Sequence, residues 1–259
     1  MDEISKFQRQ VRKNIQGLGA DRELRELSNR WMELSSAHGY TYNFSWQDRP
    51  IIQYPQDMVA MQELIWSARP DLIIEAGIAH GGSLIFSASM LALLDLSDAI
   101  EVDTSIRARE SARKVLGIDI DIRAHNREAI EAHPMASRIS MIEGSSIAEE
   151  TVAQVREVSQ NYDRVLVMLD SNHTHTHVLA ELEAYAPMTS VNSYCVVFDT
   201  AIENMPEDMF PDRPWGPGDN PWTAVQAFLA EHAEFEVDEL ITNKLMITVA
   251  LGGYLKRTR

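Results

Sequence analysis

Apolar and polar positions follow two different rhythms along this chain. Up to His38-Gly39, apolar residues recur at helical spacing among charged ones, which predicts two N-terminal helices. From Leu72 onward, short apolar runs (DLIIEAG, VLGIDI, RISMIEG, RVLVMLD, SYCVVFD) alternate with amphipathic stretches. Runs of about five apolar residues ending on an acidic or small residue are how parallel strands buried on both faces read. The stretches between them, 83–94, 123–132, 147–160 and 174–185, are long enough for crossover helices. The pattern predicts an α/β fold with a doubly wound, mostly parallel sheet of Rossmann-like type.

The flanks read differently. TYNFSWQDRPIIQYPQD is aromatic, holds two prolines and lacks helical period, so it is expected to be a loop, with Asp57 as the N-cap of a helix ending near Ala68. Residues 97–113 (SDAIEVDTSIRARESAR) look like a mixed-charge, solvated insertion before the second strand. Residues 204–221 carry five prolines and predict a long irregular loop, followed by a helix over 222–232. FEVDEL and KLMITVALGGYLKR, either side of a short polar turn, predict a C-terminal antiparallel hairpin closing the sheet edge. The chain is thus divided into residues 1–56, helices plus an aromatic loop acting as a lid or oligomer contact, and residues 57–259, a ligand-binding α/β domain.

Composition narrows the function classes. With 23 Lys+Arg against 39 Asp+Glu the net charge is −16, and no basic block offsets it. Such a surface repels phosphate backbones and anionic headgroups, so neither nucleic acid nor a membrane surface is an expected partner. No run reaches the ~18 apolar residues of a membrane span, and the charged N-terminus MDEISKFQRQ has no apolar stretch of a secretory signal. One cysteine, Cys195, excludes an internal disulfide or a Cys-cluster metal site and accords with a cytoplasmic location.

Candidate chemistry gathers at the ends of the predicted strands. In IIEAGIAHGGS a strand meets a glycine-rich turn and a helix start, where the backbone can approach a ligand and free amides can meet an anion. The spacing is not G-x-G-x-x-G, because Gly77 is followed by Gly81 and Gly82. Glu75 can receive an ammonium, while Ser83 and the helix amides can receive a carboxylate. A ligand bearing both groups is an amino acid, and S-adenosylmethionine is one with a nucleoside attached. His80 and Gly81 belong to the same turn. The second run ends GIDID, where Asp119, with Asp121 as runner-up, can grip ribose hydroxyls. The third ends Glu143-Gly144-Ser145-Ser146, where Ser146 is either an adenine contact or a helix cap.

The fourth and fifth runs end Asp170-Ser171-Asn172-His173 and Phe198-Asp199-Thr200. Carboxylates at neighbouring strand tips, without a cysteine nearby, suit an oxygen-ligated divalent ion, foremost Mg²⁺. Asp170 faces cofactor and metal alike. An imidazole titrates near neutrality, so His173 is the candidate general base. His175 and His177 read as a helix start, since a zinc pair would bring the H-E-x-x-H glutamate. Trp215, Trp222 and Tyr54 either shape a substrate pocket or pack loops.

These motifs are shared with a known family. YNFSWQDRPIIQYPQD, IIEAGIAHGGS and MLDSNHTHTHVLAELEAY, in that order, resemble the cephalosporin hydroxylase family over about residues 40–205. Its members look like class I S-adenosylmethionine-dependent O-methyltransferases. The resemblance implies that Glu75, Gly77 and Ser83 contact the methionine part, Asp119 the ribose, Asp170 and Asp199 a Mg²⁺ ion, and that His173 is the base. It implies a small hydroxylated acceptor, a sugar or natural product, and a homo-oligomer. Where the family often has Glu-Asp-Thr, this chain has Phe198-Asp199-Thr200. Phenylalanine cannot ligate, so Thr200, Glu203 or more water completes the shell, or the ion is weakly held or lost. Gly144-Ser145-Ser146 stands where an aspartate is common. Two rival classes are a non-catalytic cofactor-binding helper subunit and an Fe(II) hydroxylase, for which His232-Ala233-Glu234 is the only H-x-[DE] motif.

Overall fold

In the computed structural model, which describes residues 2–107 and 109–259, the two predicted N-terminal helices are α1 (Glu3–Ala20) and α2 (Arg22–Ser36). Asp2 and Asp21 cap them, accepting from the amides of Ser5 and Leu24. The aromatic segment that follows is more ordered than a loop. It forms a short antiparallel hairpin, β1 (Phe44–Trp46) and β2 (Arg49–Ile51). Gln47 and Asp48 turn it with φ of 45° and 66°, the left-handed pair that matches strand twist in a two-residue turn.

Helix α3 (Pro55–Ala68) starts three residues earlier than expected. Tyr54 is its N-cap and Pro55 its first residue, which leaves Asp57 inside the first turn rather than capping it. Asp57 is fully buried instead, accepting from the hydroxyls of Thr248 and Tyr254 and from the Val249 amide at 3.0 Å.

The five apolar runs form parallel strands β3 (Leu72–Ala76), β4 (Lys114–Asp119), β5 (Ile139–Glu143), β6 (Val165–Leu169) and β7 (Tyr194–Val197). Between them lie α4 (Gly82–Glu101), α5 (Ala124–Glu131), α6 (Glu149–Ser159) and α7 (His175–Tyr185). After the proline-rich segment come α8 (Pro221–Glu231), β8 (Phe235–Val237), α9 (Glu239–Leu245) and β9 (Tyr254–Arg257). The sheet order is β5-β4-β3-β6-β7-β9-β8, with only β9 running against its neighbours. The C-terminal pair is therefore antiparallel as expected, but helix α9 and a loop join it. The ladder keeps only Tyr254–Arg257 of the second apolar run.

Period-two alternation fills both faces of the sheet. Ile73, Val115, Leu166 and Val196 pack with α3 and α4, while Ile74, Leu116, Val167 and Val197 pack with α6, α7 and α8. Helix α4 is long and apolar enough to cross a membrane, at a mean hydropathy of 1.5, contrary to the reading of the run alone. Leu84, Ile85, Leu91 and Leu94 are instead buried in the core, so its apolarity is spent on packing. Residues 97–113 are not simply a solvated insertion, although Ala108 lies outside the described residues. Their first part extends α4, and at the far end Arg113 is buried, with ion pairs to Asp95 and, at 2.7 Å, Asp98.

Candidate active site

Strand register brings the functional tips into one row. Ala76 sits between Ile118 and Leu169, so the residues after each strand leave the sheet at the same level. The Gly77 amide donates to the Ile118 carbonyl at 2.8 Å, Asp170 N to Ala76 O at 2.8 Å, and Phe198 N to Leu169 O at 3.0 Å. A cavity of about 400 Å³ opens there. The sheet contributes Gly77, Ile78, His80, Ser83, Asp170, His173 and Asp199; the N-terminal segment contributes Pro50 to Tyr54; Phe210, Arg213 and Trp215 come from the proline-rich loop.

On the β3–β4 side the chain satisfies most of its own polar groups. Gly77 has a φ of 98°, and a Cβ there would overlap the Asp170 carbonyl oxygen, so only glycine fits. Asp119 accepts from the amides of Ile78 (2.8 Å), Ala79 (3.3 Å) and Asp121 (3.2 Å), which fastens the glycine turn to the end of β4. Arg49 donates to the His80 carbonyl, and Asn126 to the Ala79 carbonyl at 2.9 Å, so hairpin and α5 clamp the turn from outside. Glu75 departs from expectation. It is buried beneath the turn, off the cavity wall, and accepts from the Ser83 hydroxyl. Its second oxygen, Oε2, is buried without a partner, and burial pushes the carboxyl up to about 8. The Ser83 hydroxyl is thus already engaged with Glu75. Gly77, His80 and Ser83 line the cavity, whereas Glu75, Gly81 and Ser146 are buried outside its lining and the half-buried Asp119 is not part of it.

On the β6–β7 side the negative groups are left facing one another. Asp170, His173 and Asp199 offer ligand atoms that all lie within 4.8 Å of one another. His173 Nε2 is 3.1 Å from Asp199 Oδ2, and Trp215 packs edge-on against the imidazole at 5.2 Å. Asp199 itself takes a φ of 57°, a left-handed conformation that turns its side chain off the end of β7. Burial first, then the charges of Asp199, Glu75, Glu181 and Asp57, drive the Asp170 carboxyl well above the usual carboxylate range. A divalent cation is the group that would relieve this.

Two expected contributions are corrected. Thr200 is fully buried, is absent from the cavity wall, and donates its hydroxyl to the Val249 carbonyl at 3.3 Å, away from the cluster. Glu203 accepts from Gly218 N at 2.9 Å and Asn220 Nδ2 at 2.6 Å, which pins the proline-rich loop. Ser146 shares a 2.9 Å hydrogen bond with His177 Nε2, and His175 bonds Thr223, as expected of a helix start. His232 is engaged by Glu234 (2.9 Å) and Glu183 (3.2 Å), outside the cavity wall. Tyr54 and Trp215 line the cavity, while Trp222 does not.

The Rhamnosyl O-methyltransferase/CmcI family model matches residues 38–258, nearly the whole α/β unit and the hairpin before it. The chain belongs to this family. A rhamnosyl O-methyltransferase of Mycobacterium bovis (strain BCG / Pasteur 1173P2) is 29% identical over 206 residues, 78% of this chain and 73% of that one. Its counterpart in Mycobacterium leprae (strain TN) is 26% identical over 215 residues, 82% of each chain. Among solved structures, CmcI with Mg and SAM has a TM-score of 0.51 at 19% identity, covering 84% of this chain and 78% of that one, a likeness of fold. Sequence reasoning missed four residues that line or brace the site: Gln53 in the cavity wall, and Arg49, Asn126 and Glu181 behind the residues that form it. Gln53 donates to Asp170 Oδ2 at 3.2 Å, and Glu181 is fully buried behind Ser171 and His177. The only signal for Gln53 and Arg49 was their place inside the family motif YNFSWQDRPIIQYPQD.

Proposed function

We propose that this protein is a Mg²⁺-assisted, S-adenosylmethionine-dependent O-methyltransferase that methylates a hydroxyl of a sugar, free or carried on a natural product. The observation that carries the reading is the convergence of Asp170, His173 and Asp199 beside the glycine turn, at the carboxyl ends of a doubly wound sheet. The relatives named rhamnosyl O-methyltransferases support the sugar acceptor. The donor set fits the two absent groups. Glu75 Oε2 is a buried oxygen without a partner beneath the turn, which suits an ammonium, and Asp170 and Asp199 are hard oxygen donors suited to Mg²⁺.

In this reading the Gly77–Ser83 turn seats the methionine part and Asp119 faces the ribose, while Asp170 and Asp199 would hold the ion. When bound, S-adenosylmethionine supplies the methyl group, and Mg²⁺ the positive charge that makes an acceptor hydroxyl easier to deprotonate. His173 takes the acceptor proton at the ring nitrogen that does not face Asp199, while Nε2 donates to the Asp199 carboxylate 3.1 Å away, which holds the imidazolium so formed. Trp215 packs edge-on against the ring and Phe210 packs on Trp215, while the 50–54 segment lines the same cavity and would face the acceptor. Residues 1–56 then serve as lid or oligomer contact, the latter supported by exposed Ile4 and Phe7 on α1.

The test is methyl transfer from labelled S-adenosylmethionine to rhamnose-bearing and other deoxysugar glycosides, with and without EDTA. Transfer that is lost on chelation and restored by Mg²⁺ is expected. Absence of S-adenosylmethionine binding by calorimetry would overturn the reading, and transfer indifferent to EDTA would remove the metal from it.

A further inference from the structure

The strand-seven tip, Phe198-Asp199-Thr200, supplies one acidic residue. Phe198 is 2% exposed and belongs to the apolar core on the α3–α4 face, so nothing polar stands in that place. Thr200 and Glu203 are spent elsewhere, as described above. Asp170 and Asp199 leave the remaining positions around an oxygen-seeking ion to water or to a further oxygen ligand.

Gln53 stands at that gap from the opposite wall. It is 7% exposed, lines the same cavity as Asp170, His173 and Asp199, and lies with its amide nitrogen 3.2 Å from Asp170 Oδ2. Its amide oxygen Oε1 is buried with no partner, a costly state for a strong acceptor. Turning the amide by half a revolution exchanges nitrogen and oxygen and puts Oε1 at the same separation from the carboxylate. Two oxygens in neighbouring positions on one Mg²⁺, each bound at 2.0–2.1 Å, are separated by about 3 Å. The observed 3.2 Å is therefore the edge of a shared coordination shell as readily as a hydrogen bond.

The backbone that presents Gln53 is fixed on both sides. Before it, Arg49 ties the hairpin to the glycine turn; after it, Pro55 opens α3, whose Asp57 is bonded to Thr248, Val249 and Tyr254. A ligand held in this way loses little freedom when the ion arrives.

Resting on the metal reading above, we propose that Gln53 Oε1 is the third protein oxygen on the divalent cation, in place of the carboxylate that Phe198 cannot supply. The shell then carries two protein negative charges rather than three, and the ion bridges the sheet tips to the N-terminal segment.

Mn²⁺, which accepts the same oxygen ligands as Mg²⁺, is the probe, titrated into the full chain and followed by electron paramagnetic resonance and water-proton relaxation. Gln53→Leu is expected to weaken Mn²⁺ binding by ~10–100-fold and, at saturation, to raise relaxivity per bound ion, because water enters the vacated position. Gln53→Glu, which keeps an oxygen there and adds charge, is expected to bind Mn²⁺ at least as tightly as the natural chain with unchanged relaxivity. Weakened binding of Gln53→Leu with unchanged relaxivity would mean that Gln53 only orients Asp170, and would overturn the proposal, as would unchanged affinity in a folded Gln53→Leu. A natural chain that takes up no Mn²⁺, or takes it up equally after Asp170→Asn, would overturn the metal reading itself.

Discussion

The two halves of the cleft solve the same problem in opposite ways. On the β3–β4 side, Asp119 is met by three backbone amides, and the carbonyls of Ala79 and His80 are met by Asn126 and Arg49. That half is a finished cradle. On the β6–β7 side, Asp170 and Asp199 converge, with Gln53 bonded to the first and His173 beside the second, and Asp170 is pushed toward its neutral form. The first half is preorganised by hydrogen bonds, which costs nothing further when a ligand arrives. The second is kept in like-charge conflict, which stores binding energy for a cation. Glu75 sits on the border, half satisfied by Ser83 and half orphaned.

The largest expected effect tests whether the unsatisfied half does the chemistry. His173→Gln keeps a polar side chain but removes the base, and should lower turnover by ~10²–10⁴-fold while leaving S-adenosylmethionine affinity intact. If cation affinity falls instead, His173 is a ligand; undiminished turnover across a pH series would end its role as base.

Next comes the joint between the halves. Gly77→Ala forces a Cβ into the Asp170 carbonyl at a φ of 98°. A loss of ~2–4 kcal/mol is expected in urea unfolding, with weaker cofactor and cation binding together. Loss of one without the other would show that the halves are mechanically independent.

The border residue gives a pH signature. Folding raises the Glu75 carboxyl from 4.5 to about 8, so between those values the native state holds a proton that the unfolded chain has released. The Glu75 contribution to stability is therefore complete below pH 4.5 and falls as pH rises toward 8, by an amount on the order of a few kcal/mol. Glu75→Gln mimics the protonated form and should flatten that slope in denaturant titrations from pH 5 to 8. An unaltered slope would mean that the buried carboxylate is compensated in a way these contacts do not show.

The smallest effect is a gain. Asp170→Asn removes the like charge from the cluster and should raise the melting temperature of the metal-free protein, by ~1 kcal/mol equivalent, while abolishing cation binding. A destabilised variant would show that the acidic cluster is not in conflict at all.

The sequence was most legible where burial acts on every residue of a segment. All five parallel strands were read from their apolar runs, and Asp170 and Asp199 were found because strand tips are where such runs stop. Local signals failed where partners are distant in the chain. Asp57 is of the residue type and spacing of an N-cap, yet its partners Thr248 and Tyr254 lie 191 and 197 residues away. ELITNKL has too few residues for a helical period to stand out, so its pattern predicts a turn where α9 forms and strands longer than those observed. Gln53 is 117 residues from Asp170, and nothing in QYPQD itself announces the pairing.

By itself the sequence determined the layered α/β fold, the order of the strand tips and the kinds of side chain that each tip carries. Those follow from apolar period and from which residues interrupt it, both local properties of the chain. Only the tertiary structure decided which groups share charge and which are already spent: that Glu75 lies under the cradle, that Thr200 turns to Val249, and that Gln53 reaches Asp170. Hydrogen bonds and ion coordination act over about 3 Å of space, a distance unrelated to separation along the chain.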